Sequence, residues 1–167
     1  MRNIPKILFV LTVFYLASCS PSPKKASEYN NMLVRHQRQV VSKIDDLIAS
    51  FTTYNAQDMQ AAYNALIKQI DYSLDTLQKV RPFDGSTEFR DKTIELLQFY
   101  KNIAQTQLKQ VMILLSKPED QYTSQDALRV SEIMSEVHDK IAEKNQEYKK
   151  YQQEFAKKYH LSLSLKE

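Results

Sequence analysis

Apolar residues recur at steps of three and four along four separate stretches of this chain, the period of helices that pack by one face. The first series is Leu33, Val40, Ile44, Leu47, Ile48 and Phe51, with Tyr29 and His36 extending it toward the N-terminus. Met59, Ala62, Tyr63, Leu66, Ile70, Leu74, Leu77 and Val80 make the second, and Phe89, Leu96, Tyr100, Ile103, Val111 and Leu114 the third. Ala127, Val130, Met134, Val137, Ile141, Tyr148, Tyr151 and Phe155 make the fourth. The breaks between them have chemical causes. Asn55 or Asp58 can cap the second helix, and Pro82 ends it by pushing Arg81 out of the helical region. The stretch Arg81-Pro82-Phe83-Asp84-Gly85-Ser86 reads as a turn, with Asp84 or Ser86 capping the third helix. Lys117-Pro118 stops that helix, and Thr123 or Ser124 starts the fourth, with Asp126 in its first turn.

The pattern predicts helices from about Ala26 to Thr53, to Arg81, to Lys117 and to about Tyr159. Gly85 is the single glycine of the 167 residues, which argues against a sheet built on tight turns and against a glycine-rich phosphate loop. Four amphipathic helices with short links imply an all-α fold, an antiparallel up-down-up-down four-helix bundle over residues 26–160 with a tail at 161–167. A dimer of long hairpins would show the same periodicity.

Ahead of the bundle, Arg2 and Lys6 precede an uncharged apolar run, Ile7 to Cys19, of about a dozen residues, where a spanning helix needs roughly 20. A positive start, a short apolar run and a small-residue ending describe a signal peptide over residues 1–18. Leu16-Ala17-Ser18-Cys19 resembles the lipobox of bacterial lipoproteins, matching it at all four positions. The resemblance implies cleavage before Cys19, a diacylglyceryl group on its thiol, and a membrane contact through that lipid. Residues 19–25 then read as a lipidated anchor and spacer, Ser20-Pro21-Ser22-Pro23-Lys24-Lys25 staying extended. Serine after the cysteine resembles the outer-membrane sorting class, and the expected location is the cell envelope, on the periplasmic face.

Cys19 is the only cysteine, so disulfides, thiolate metal sites and covalent haem attachment are not expected. The three histidines are each preceded, three residues earlier, by Leu33, Ser135 and Lys157. That excludes the Glu-x-x-His pairs of a di-iron bundle. No zincin or nucleophile-elbow pattern occurs. With Arg2 and Lys6 removed, the 23 basic residues nearly balance the 20 acidic ones, and nothing suggests a nucleic-acid partner. The expectation is a non-enzymatic protein with no cofactor and no metal, whose partner is an envelope protein or a small ligand.

One constellation could hold such a ligand. The proposed topology gathers Tyr29, His36, Arg81, Phe83 and Phe89 with Tyr148 and Tyr151 at one end of the bundle, near the N-terminus, together with Arg90, Phe155 and Tyr159. Aromatic rings with a few polar groups are what a small-ligand pocket uses, and equally what caps a bundle end by packing. His36 lies between Leu33 and Val40 and faces inward, as a ligand or as a hydrogen-bonded core histidine. Lys140 to Lys158 reads as a solvated face with i,i+4 pairs.

Ala26-Ser27-Glu28-Tyr29-Asn30-Asn31 with Val34 and Gln37, the Arg81-Pro82-Phe83-Asp84-Gly85 turn, and Phe89-Arg90 resemble a group of bacterial lipoproteins with a helical domain behind the lipobox. That resemblance implies fold and location and no particular activity.

Overall fold

The computed structural model describes residues 21–162. The leader, the lipobox with Cys19, and residues 163–167 of the tail lie outside them. The described chain is all-helical, with one isolated β-bridge and no strand. Helix α1 spans Pro23–Ser50 and runs into a 3-10 turn, Phe51–Thr53; α2 spans Ala56–Gln78; α3, Glu88–Ile103, continues through a π turn, Ala104–Leu108, into α4, Lys109–Leu115. After a 3-10 turn at Glu119–Gln121 comes α5, Ser124–Lys158. Because α3 and α4 form one continuous rod, the described architecture is four helices.

The expected extended spacer is corrected at its C-terminal end. Pro23, Lys24 and Lys25 are helical, Ser22 being the N-cap whose side chain accepts from the Lys25 amide. Proline suits the first helical position because its φ is preset and it lacks an N–H that would go unpaired there. Asn55 caps α2 through its Oδ1, which accepts from the amides of Gln57 and Asp58. The start of α3 differs from expectation: Thr87 is its N-cap residue, without a side-chain bond, and Ser86 Oγ accepts from the Glu88 amide at 3.2 Å. Thr123 caps α5 in a reciprocal box. Its Oγ1 accepts from the Asp126 amide at 3.2 Å, while Asp126 Oδ2 accepts from the Thr123 amide at 3.0 Å. Lys117 adds an ion pair to the same carboxylate at 2.7 Å. The Lys117 bond and the two from Thr123 hold the Asp126 carboxyl down to about 2.

Left-handed residues occur at three places among the described residues, the first being Tyr54 (φ 52°) between α1 and α2. Asp84 (φ 53°) and Gly85 (φ 73°) form a two-residue turn closed by Phe83 N to Ser86 O at 2.9 Å and Ser86 N to Phe83 O at 3.0 Å. Consecutive positive φ values are why Asp-Gly occupies this turn. At the end of α5, His160 (φ 53°) takes the place usually given to glycine, and the amides of His160 and Leu161 bond back to Lys157 and Ala156.

One core cluster joins all four rods, with Leu33, Val40 and Leu47 from α1, Leu66 and Ile70 from α2, Leu97 and Tyr100 from α3, and Ile133 and Val137 from α5. Burying each such aliphatic side chain stabilises by roughly 1.5–3 kcal/mol. Helix α1 packs on α2, α2 on α3, α3 on α5, and α1 crosses to α3, whereas α1 and α5 meet sparsely. Two expected inner-face positions change. The π turn adds one residue to the third rod and rotates its inner face, so Leu115 is buried and Leu114 only partly so. On α5 Ala127 is exposed, and Ile133, absent from the expected series, is buried.

Thr123→Ala should lower stability by about 1 kcal/mol, and His160→Gly should raise it by up to about 1 kcal/mol by relieving the left-handed residue. Urea unfolding followed by circular dichroism measures both; equal midpoints for the two variants would contradict the capping assignments.

Candidate functional site

Rings from three helices and the Asp84-Gly85 turn meet at one end of the bundle. Phe155 is the centre of the group: its ring centroid lies 5.7 Å from Tyr29, 5.7 Å from Phe83, 4.9 Å from Phe89 and 4.7 Å from Tyr159. Tyr29 stacks on Phe83 at 4.7 Å, and Phe89 on Tyr148 at 5.8 Å. These separations fall in the range of favourable aromatic pairs, each worth about 0.5–1.5 kcal/mol beyond its buried area. Polar atoms tie the rings down. The Tyr148 hydroxyl pairs with Thr93 Oγ1 at 3.1 Å, and the Tyr159 hydroxyl donates to Asp84 Oδ2 at 2.8 Å. Burial pushes the Tyr29, Tyr148 and Tyr159 hydroxyls above the ordinary phenol range. The Tyr29 hydroxyl is the exception in bonding: it is buried with no partner among the described residues.

Of the residues expected at this end, Tyr29, Phe83, Phe89, Tyr148 and Tyr151 are brought together there. Tyr151 stands at the rim, with Lys92 Nζ 5.0 Å from its ring centroid. Arg81 is exposed and makes no ion pair among the described residues. The arginine that belongs to this end is Arg90, whose Nη1 donates to the Val80 carbonyl at 2.7 Å and whose Nη2 pairs with Asp91 at 2.7 Å. The rings leave a gap of about 120 Å³ beside Tyr29, Phe83 and Phe155, well below the roughly 300–1,000 Å³ of ligand pockets.

His36 is elsewhere, in the seam between α1 and α2. Its Nδ1 lies 3.1 Å from Ser73 Oγ, which also accepts from Gln69 Nε2 at 3.0 Å. A neutral imidazole accepting from the Ser73 hydroxyl satisfies all three groups. Burial, with the Arg35 charge next to it, lowers the His36 pKa below the usual imidazole value. The group is a buried polar link between two helices.

The seam between α1 and α5 was not anticipated from the sequence. Gln152 Nε2 donates to Asn30 Oδ1 at 3.3 Å, and one heptad further along α5 Asn145 Oδ1 accepts from the Tyr100 hydroxyl of α3. Burial nevertheless pushes that hydroxyl up to about 12. Asn30 and Gln152, with Gln37 one heptad along α1, line a groove of about 800 Å³ along α1 and α5. The signal was present as carboxamides seven apart, at 30 and 37 and again at 145 and 152, the spacing of one helix face.

Among the described residues no three His, Cys, Asp or Glu side chains cluster as metal ligands would, and no helix is long and apolar enough to cross a membrane. No family model matches the chain, and no curated protein or solved structure is significantly similar to it.

Phe155→Ala should cost about 3 kcal/mol, whereas Tyr29→Phe should be neutral or stabilising, since it removes a buried hydroxyl without a partner. Thermal melts of the two variants distinguish a packed end from one that depends on the hydroxyl. For His36 the folded pKa is the lower one, so folding favours the neutral form. Its contribution is intact above the unfolded value near 6.5 and is lost as pH falls below it. Denaturant midpoints at pH 7.5 and pH 5 should differ less in His36→Gln than in the parent chain.

Proposed function

We propose that the chain is a non-enzymatic, lipid-anchored protein of the bacterial cell envelope, held through Cys19 to the outer membrane and facing the periplasm, where its helical domain serves as an interaction module. The observation that carries this reading is the complete lipobox, Leu16-Ala17-Ser18-Cys19, at the end of an apolar run too short to span. Two or three acyl chains on one cysteine, at about 0.8 kcal/mol per buried methylene, make a stable attachment. Helix α1 begins at Pro23, four residues beyond Cys19. The link therefore reaches roughly 14 Å at most, and a lipid on Cys19 would keep the aromatic end close to the bilayer.

The helices run up, down, up and down in this reading. Support comes from pairs whose numbers rise on one helix as they fall on the next: Asp71 with Lys101 and Val80 with Arg90, then Thr93 with Tyr148 and Tyr100 with Asn145. A second reading, a small ligand held at the aromatic end, has the unpartnered Tyr29 hydroxyl in its favour. The contact distances among the rings weigh against it.

Cys19→Ser should move the protein from the membrane fraction to the soluble fraction of lysed cells and abolish labelling by a clickable palmitate analogue. Membrane association that survives the substitution would overturn the anchor.

A further inference from the structure

The groove along α1 and α5 has a cationic lining with no acid in it. Arg35, Arg38, Lys43 and Lys149 line it, and no Asp or Glu does. Lys43 is paired with Asp46 at 2.6 Å. Arg35, Arg38 and Lys149 make no ion pair among the described residues, which leaves their charges open to an anion in the groove. Alongside these cations, Asn31, Gln37, Gln152 and Gln153 present carboxamides. Each carboxamide both donates and accepts, as a hydroxyl-bearing ligand requires, while guanidinium forks match phosphate oxygens. The groove's volume of about 800 Å³ suits a ligand larger than a bare anion.

We infer that this groove binds a phosphorylated polyol, the phosphate held by Arg35, Arg38 and Lys149 and the hydroxyls by the carboxamides. The same chemistry occurs in a free sugar phosphate and in the head group of a glycerol-based anionic lipid. The proposal does not rest on the anchor, because Cys19→Ser leaves every groove residue in place.

The test is calorimetric titration of the full-length chain in non-ionic detergent with glucose 6-phosphate, glucose and inorganic phosphate, alongside co-sedimentation with phosphatidylglycerol and phosphatidylcholine vesicles. Glucose 6-phosphate should bind more tightly than either fragment, and phosphatidylglycerol should retain more protein than phosphatidylcholine if the head group is the source. The double variant Arg35→Gln/Arg38→Gln should weaken either interaction about tenfold or more, equivalent to about 1.4 kcal/mol, with an unchanged melting temperature because both side chains are exposed. Lys24→Gln, outside the groove, should leave binding unaltered. Binding of the soluble probe or of anionic vesicles that is lost in the double variant supports the site. Absence of both, binding that the double variant retains, or inorganic phosphate binding as tightly as glucose 6-phosphate overturns it.

Discussion

The Phe155 ring, in contact with Tyr29, Phe83, Phe89 and Tyr159, is the interaction on which the organisation of one whole end depends. It joins α1, the Asp84-Gly85 turn with the start of α3, and α5, three stretches of chain far apart in sequence. A chain with a single cysteine has no internal disulfide to make such a junction, so buried area and ring geometry make it. The turn itself is possible because Asp84 and Gly85 both tolerate positive φ, which brings Phe83 under the rings in place of leaving it in solvent.

Closing that end has a consequence for the seam beside it. At the aromatic end α1 and α5 meet through Tyr29 and Phe155. Further along, the contacts are carboxamides, Asn30 with Gln152 and then Asn145 on the Tyr100 hydroxyl of α3. Polar side chains at such positions retain water and hold helices less closely than leucines would, because a buried carboxamide needs partners that an aliphatic face cannot supply. The groove is the outcome of that exchange. It places an acid-free cationic lining next to hydrogen-bonding groups, while the aromatic end, richer in rings, is mostly filled by them.

Much of this is legible in the order of the residues. The four apolar series, the Pro118 stop, the Asn55 and Thr123 caps and the Asp84-Gly85 turn all depend on local backbone chemistry, and local chemistry is written in neighbouring residues. Helix α2 ends at Gln78, before the residues that Pro82 restricts. Eight of the ten residues expected at the aromatic end meet there. His36 and Arg81 do not, for different reasons. His36 is two turns further along α1 and finds Ser73, a partner on another helix that no spacing rule names. Arg81 lies beyond the last turn of α2 and is exposed, leaving Arg90 to bond the Val80 carbonyl. The π turn leaves no mark on composition, because an inserted residue shifts only the helical phase, and Leu115 then takes the place expected for Leu114.

What the sequence by itself determined is the helical class, the number of rods, the caps of two of them and the identity of the rings at one end, since periodicity and capping act over a few residues. Only the tertiary structure decided that α1 and α5 meet through carboxamides, because that depends on which helices become neighbours and in what register. Asn30 and Gln152 are separated by most of the chain. The same four amphipathic strips, docked one position differently, would bury those groups unpaired or expose them singly, and there would be no groove.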